Sequence, residues 1–300
     1  MKPEPREWHH IFHSMGIPIH LTLFGLEKEG VQNSAKKAEE IFHAWDNRAS
    51  RFKETSELMR VIQSAGEWTN ISPELFGVLK KSLELSRKTN GLFDMSVGAY
   101  LAAANYGLPE NYSLPKKVPN FQDIQLDEKK LRVKISKDQV IEPAALVKAL
   151  AIDEAGKELH KNISSWMINA GGDVLTQGLY ENRKWRVGIQ DPRSQEKILG
   201  VVEISNAAIA TSGTYVVNKE IHGKTWHHEI NPKTGKPTVN ILSISVIASS
   251  ALQADIVSTV AFLHDADAEM YLRKRTEPFL LVTTDLQIIS GNGWQAYAAS

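Results

Sequence analysis

Trp166-Met167-Ile168-Asn169-Ala170-Gly171-Gly172-Asp173 carries the chain out of a helical stretch and into one built from strands. Upstream, a helix is predicted over about residues 144–160. Downstream, alternating apolar runs predict strands at 166–168, 185–189, 201–204, 207–210 and 241–248. One more helix, roughly 251–263, precedes two terminal strands at 279–283 and 287–290. Helices and strands come in blocks rather than in strict alternation, which favours an α+β fold over a doubly wound sheet.

Working outward toward the N-terminus, Ile17-Pro18-Ile19-His20-Leu21-Thr22-Leu23-Phe24-Gly25 alternates with period two and stops at glycine, as a strand does. Asn33-Ser34 offers caps for a helix whose Ala38, Ile41, Phe42, Trp45 and Ala49 share a face. A further helix starts at Ser72-Pro73, carries Leu75, Leu79, Leu83 and Ser86 on one stripe, and ends near Thr89-Asn90-Gly91. Residues 105–130, rich in Pro, Asn, Lys and Tyr, suggest a surface excursion, and residues 131–135 return as a strand. With no Gly- or Ser-rich linker, 1–300 reads as a single domain: a polar lead (1–14), a core (15–263) and C-terminal strands (264–300).

Lysine plus arginine balances aspartate plus glutamate at 35 each, so no global field favours nucleic acid or an anionic membrane. The absence of cysteine excludes disulfides, thiolate nucleophiles and Cys-ligated zinc, leaving oxygen and imidazole as metal ligands. No apolar run has the length of a signal peptide or a membrane span. The sequence as it stands is therefore expected to be cytoplasmic, or periplasmic if an export signal has been removed from it.

Four places could carry chemistry. Gly171-Gly172-Asp173 is open to two readings, a cradle where a polyanion approaches bare backbone or a tight hairpin turn. Thr211-Ser212-Gly213-Thr214 repeats the small, hydroxyl-rich pattern after another strand. Asp255 and Thr259, four apart on the 251–263 helix, offer hard oxygens suited to Mg²⁺. Their rival reading is a carboxylate placed near a helix N-terminus by the macrodipole. Finally, Trp226-His227-His228-Glu229-Ile230-Asn231-Pro232-Lys233-Thr234-Gly235-Lys236-Pro237 sets two imidazoles and two cations around a turn. On a strand the two histidines point to opposite faces, so they cannot both serve one site. Trp45, Trp166 and Trp185 read as core.

Together these segments resemble the FAD:protein FMN transferase family, the ApbE-like flavin transferases. The matching pieces include Met15-Gly16-Ile17-Pro18, Ser50-Arg51-Phe52, Thr89-Asn90-Gly91-Leu92-Phe93-Asp94 and Asn169-Ala170-Gly171-Gly172-Asp173. Trp185-Arg186-Val187-Gly188-Ile189-Gln190-Asp191-Pro192, Ala210-Thr211-Ser212-Gly213, the stretch from His228 to Pro237, and Asp255 with Thr259 follow in the family's order. The resemblance implies an α+β architecture of the T-fold type. It also implies an enzyme that binds FAD with Mg²⁺ and transfers FMN to a Ser or Thr hydroxyl of an acceptor protein, releasing AMP. Carried over by position, Asp255, Thr259 and the carbonyl of Val147 would hold Mg²⁺ and His228 would be the base. Lys148, Gly171, Gly172, Asp173, Thr211 and Ser212 would line the FAD site.

One segment departs from the family pattern Asp-Leu-Gly-Gly-Ile-Ala-Lys-Gly-Tyr and reads Glu142-Pro143-Ala144-Ala145-Leu146-Val147-Lys148-Ala149-Leu150. Lys148 is kept, while Ala144, Ala145 and Ala149 replace glycines. Two alternatives stand beside the transferase reading: a non-catalytic flavin- or partner-binding relative with a pocket remodelled around these alanines, and an FAD pyrophosphatase that uses the same residues with water as acceptor and yields FMN and AMP.

Overall fold

The computed structural model describes residues 6–104, 114–194, 196–214, 218–221, 224–227 and 229–299. In chain order, strands β1 (Arg6–Ser14) and β2 (Ile17–Gly25) lead to helices α1 (Lys28–Ala49) and α2 (Glu57–Gln63). Then come β3 (Thr69–Asn70), α3 (Pro73–Lys88), α4 (Gly98–Ala103), β4 (Gln125–Asp127), β5 (Arg132–Lys134) and α5 (Ala144–His160). The β-rich stretch holds β6 (Ser165–Ala170), β7 (Asp173–Gln177), β8 (Trp185–Gln190), β9 (Ile198–Ile204) and β10 (Ala208–Gly213). Next are β11 (Asn218–Ile221), β12 (Lys224–His227), β13 (Ile230–Asn231), β14 (Lys236–Pro237) and β15 (Ile241–Ala248). Helices α6 (Ala251–Leu263) and α7 (Ala268–Arg273) and strands β16 (Phe279–Thr283) and β17 (Ile288–Gly291) close the chain. The class is α+β, and no helix among the described residues is long and apolar enough to cross a membrane.

The chain divides into two compact units, Met1–Ala44 with Lys148–Tyr215 and Val239–Ser300, and Trp45–Val147 with Val216–Thr238. The first is built on one antiparallel sheet of order β1-β2-β6-β7-β10-β15-β16-β17. Strand alternation gives this sheet two apolar faces. On one, Ile244, Val246, Phe279 and Leu281 pack against Val257, Ala261 and Phe262 of α6 and Leu272 of α7. On the other, Val174, Ile209 and Ile247 pack against Val187, Ile189, Val202 and Ile204 of the β8–β9 hairpin and against Trp294. Helix α6 is buried on nearly every side, which explains its almost wholly apolar sequence.

Three amides of the first turn of α6 have side-chain acceptors. Asp153 of α5 takes Ala251 N at 2.8 Å and Leu252 N at 3.1 Å, and Ser250 Oγ takes Gln253 N at 3.2 Å. These are the donors that a helix start leaves without intrahelical partners.

The second unit holds α2, α3, α4, a three-stranded sheet of order β3-β5-β4 and the hairpins β11–β12 and β13–β14. Ser72 caps α3 through Leu75 N, with Pro73 in the first turn, and the helix ends at Thr89 before Asn90 and Gly91 turn left-handed.

Several expectations need correction. Residues 6–14 are not a lead but strand β1, whose Trp8, His10, Phe12 and Ser14 face inward along its register with β2. Helix α1 begins at Lys28, and Ser34 lies inside it with its hydroxyl donating back to Gly30 O at 3.0 Å. The stretch 264–300 contains α7 as well as strands. Of the 105–130 excursion, residues 105–113 lie outside the described residues, and the remainder includes β4.

Candidate functional site

In the first unit, Asp255 and Thr259 stand one turn apart on α6, 7% and 8% exposed. The Thr259 hydroxyl donates to Asp255 Oδ1 at 3.4 Å. Strand β10 brings Ser212 to the same place, its Oγ 3.3 Å from Thr259 Oγ1 and 3.1 Å from Ser258 Oγ. Ser258 in turn donates to the Asp255 carbonyl at 3.1 Å. One carboxylate and three hydroxyls thus converge in a buried cluster of hard oxygen atoms. That donor chemistry fits a hard divalent cation such as Mg²⁺ and is a poor match for a soft one. Among the described residues no three His, Asp or Glu side chains group closely enough to hold a metal by themselves. A cation here would complete its shell with backbone, water or the phosphates of a ligand, as Mg²⁺ commonly does.

A second cluster joins the first along β10. Lys148 Nζ on α5 pairs with Asp173 Oδ2 at 2.7 Å, and Asp173 is nearly sealed from solvent. The other carboxylate oxygen, Oδ1, accepts the amide of Thr211 at 3.2 Å. The carboxylate of Asp173 and the hydroxyl of Thr259 therefore grip consecutive residues of one strand.

The side chains of those consecutive residues part company. Ser212 faces α6, whereas Thr211 Oγ1 lies 2.8 Å from Ser245 Oγ and lines a cleft on the opposite face, beside β8. Strand alternation forbids both from lining one pocket, so the expectation that Thr211 and Ser212 share a site does not hold for their side chains.

Gly171 and Gly172 form the two-residue loop of the β6–β7 hairpin, with φ of +62° and +102° and Ala170 paired to Asp173. Positive φ at both centres is the type I′ requirement that glycine meets without strain. The Gly172 backbone is also open, since a Cβ built there meets nothing within 4 Å. The turn and the bare-backbone readings are thus compatible.

In the second unit, Glu142 stands where the family pattern has aspartate. Arg51, fully buried, forms an ion pair with it through Nε, and Glu142 Oε1 accepts Ala144 N at 3.1 Å, capping α5. The amide of Glu142 donates to Met95 O at 2.6 Å. Nearby in sequence, Asp94 accepts Ser96 N and Phe121 N, at 2.8 and 2.9 Å. Burial nonetheless raises its pKa above the ordinary aspartate value. Of the three alanines, Ala144 is exposed, Ala145 half-buried and Ala149 wholly buried in packed core. Val147 sits in the first turn of α5, where a carbonyl points along the helix toward the amide four residues on.

His228 lies outside the described residues. Its neighbour His227 is buried and donates from Nε2 to Thr238 O at 2.9 Å, so His227 is the packed member of the pair. The turn that follows is held by Asn231, which accepts Lys233 N at its side chain and Gly235 N at its carbonyl. Gly235 has φ +65° and lies so close to the Tyr100 ring that a Cβ would approach within 2.4 Å. Lys233 and Lys236 are exposed.

Sequence reasoning missed Ser258, Asp153 and the Arg51–Glu142 pair. Ser258 carried a usable signal, because a hydroxyl adjacent to Thr259 on an apolar helix must find a polar partner. The other contacts link residues 91 to 99 positions apart, which no local pattern encodes.

The fold and the all-oxygen cluster define an α+β protein with a candidate hard-cation centre between one helix and the sheet beneath it. The ApbE family model matches residues 15–281, and the chain belongs to that family. It is 28% identical over 275 residues to the FAD:protein FMN transferase of Haemophilus influenzae, covering 85% of this chain and 80% of that protein. It is 25% identical over 295 residues to the enzyme of the same name from Vibrio cholerae, covering 92% and 86%. Among solved structures, the ApbE protein of Thermotoga maritima superposes with a TM-score of 0.89 at 22% identity, covering 98% of this chain and 100% of that one. The flavinyl transferase ApbE of Pseudomonas stutzeri gives 0.83 at 18% identity, covering 99% and 98%.

Proposed function

We propose that this chain is an FAD:protein FMN transferase. It would take the FMN half of FAD, join it through a phosphoester to a Ser or Thr hydroxyl of an acceptor protein, and release AMP. The observation that carries the reading is the buried all-oxygen cluster of Asp255, Thr259, Ser212 and Ser258. Family membership and the names of the relatives support it.

In this reading Asp255 and Thr259 hold Mg²⁺, which when bound offsets the pyrophosphate charge and eases departure of AMP. Ser212 and Ser258 orient that pair through the hydrogen bonds they already make. Lys148 supplies positive charge beside Asp173, whose carboxylate fixes the start of β7 against β10, while the open backbone at Gly172 leaves room for the nucleotide. The acceptor hydroxyl attacks the FMN phosphorus, the bond to the AMP phosphate oxygen breaks, and the hydroxyl proton passes to His228 as base. In-line phosphoryl transfer needs mostly such positioning.

The test is a titration of purified protein with FAD, with and without Mg²⁺, following flavin fluorescence and then AMP. Mg²⁺-dependent binding with AMP release is expected, and Asp255→Ala should lower turnover by roughly 10²-fold or more, the scale for losing one charge-stabilising group. Absence of FAD binding at high micromolar concentration would overturn the proposal. FMN released free, rather than attached to protein, would point to hydrolysis.

A further inference from the structure

The cleft on the far side of the sheet from Asp255 and Thr259 has a volume of about 220 Å³. Met167, Val174, Ile209 and Thr211 of the main sheet form its floor, and residues 186–190 of β8 form one wall. Five consecutive strand residues can all line a cleft only if the strand presents its backbone edge, because successive side chains point to opposite faces.

The direction of each backbone group on that edge follows from the ladder. Glu203 N donates to Tyr297 O, and Val201 O accepts Ala299 N, so both of these β9 residues turn their backbone groups away from β8. Their antiparallel partners are Arg186 and Gly188. Directly opposed residues in such a ladder either both point inward or both point outward. The N–H and C=O of Arg186 and Gly188 therefore point away from β9, and among the described residues β8 has no ladder partner but β9. The outer edge of β9 is covered by residues 297–299, whereas among the described residues no strand pairs with β8 at the outward groups of Arg186 and Gly188, which run along the cleft.

We propose that this edge binds the acceptor protein as an added β-strand, an extended segment whose backbone pairs with Arg186 and Gly188. The proposal rests on the transferase reading above. A row of outward N–H and C=O groups at strand spacing matches an extended peptide backbone, whereas a nucleotide offers no such repeat. Every second side chain of the segment would face Met167 and Thr211, the half-buried floor residues, since Val174 and Ile209 are already covered by the β8–β9 hairpin. The cleft also reaches Gly172 at the hairpin tip and Thr211, whose neighbour Ser212 belongs to the oxygen cluster. A bound segment is thus led toward the end of the sheet where FAD is to be cleaved.

The probe is a pool of dodecapeptides, random except for a central Thr, incubated with protein, FAD and Mg²⁺ and read by mass spectrometry for added FMN. Gly188→Pro removes an outward N–H and adds a ring, a change that edge strands tolerate. Gly188→Ala keeps that N–H, and its Cβ would lie 3.4 Å from Ile198 Cγ2, an ordinary contact. The expected result is a labelled subset of peptides, at least tenfold less labelling by Gly188→Pro, near-normal labelling by Gly188→Ala, and FAD affinity within twofold in both. For the best substrate, N-methylation at alternate backbone positions should abolish labelling in one register and spare the other. Equal labelling by Gly188→Pro and wild type overturns the proposal, as does FAD binding with no peptide labelled. Protection of the Arg186 and Gly188 amides by self-association without peptide would assign the edge to a second copy instead. A wild-type protein that binds no FAD fails at the transferase reading itself, and the inference falls with it.

Discussion

Replacing Asp153 by alanine should loosen the helix that carries the oxygen cluster. Its carboxylate accepts Ala251 N and Leu252 N at 2.8 and 3.1 Å, two of the three first-turn amides that have side-chain acceptors. Hydrogen bonds to a charged group contribute about 1.5–3 kcal/mol each, and a negative charge at a helix start adds about 0.3–1 kcal/mol. Asp153 is half-buried and water would replace part of what is lost, so a net loss of about 2–3 kcal/mol is expected. With a urea dependence of roughly 2–3 kcal/mol/M, the unfolding midpoint should fall by about 1 M. Ser250 still caps Gln253 N, so α6 should survive with a frayed first turn, seen as faster amide exchange over residues 251–255. Asp153→Asn keeps one acceptor oxygen and should lose about half as much. A midpoint unchanged within about 0.2 M, or unaltered exchange in α6, would refute the argument that this contact sets the stability of the helix start.

Lys148→Met should leave Asp173 buried beside no cation and destabilise the fold by about 2 kcal/mol, below the usual loss for a broken buried pair because Lys148 is 31% exposed. Adding Asp173→Asn should recover part of that loss, and a double-mutant cycle on urea midpoints measures the coupling. Glu277 supplies an acid-sensitive contribution: burial alone would raise its pKa, but hydrogen bonds from Arg275 and Gln253 outweigh burial and bring it from 4.5 down to about 2. Because the folded value is the lower one, the stabilisation is complete above 4.5 and disappears as pH falls toward 2. Glu277→Gln should therefore be less stable than wild type at pH 7, with the gap closing between pH 4.5 and 2 in a series of denaturation curves.

Much of this architecture can be read from local pattern. Helices 144–160 and 251–263 and strand 279–283 fall where apolar runs and caps place them, because Ser250 caps in place and the flanking turns interrupt the pattern. Strand β1 escaped because its inward row, Trp8, His10, Phe12 and Ser14, mixes polar with apolar residues at the sheet edge. The start of α1 escaped because Ser34 satisfies its hydroxyl against Gly30 O within the helix, so a residue that commonly caps does not cap here. In the site, the i, i+4 spacing of Asp255 and Thr259 was visible, whereas the arrival of Ser212 from 43 to 47 positions away depends on sheet order. Spacing alone also could not separate Thr211 from Ser212, since that requires knowing which face α6 covers.

Strand β10 works as a partition wall with a fixture on each side. Thr211 opens onto the β8 cleft, Ser212 onto the oxygen cluster, and the strand between them is pinned by Asp173. Inserting or deleting a single residue before Thr211 would swap the two fixtures, handing each compartment the side chain meant for the other. Changes of segment length can therefore accumulate in the connecting loops but not in this strand, and the two compartments can be retuned only by exchanging side chains in place.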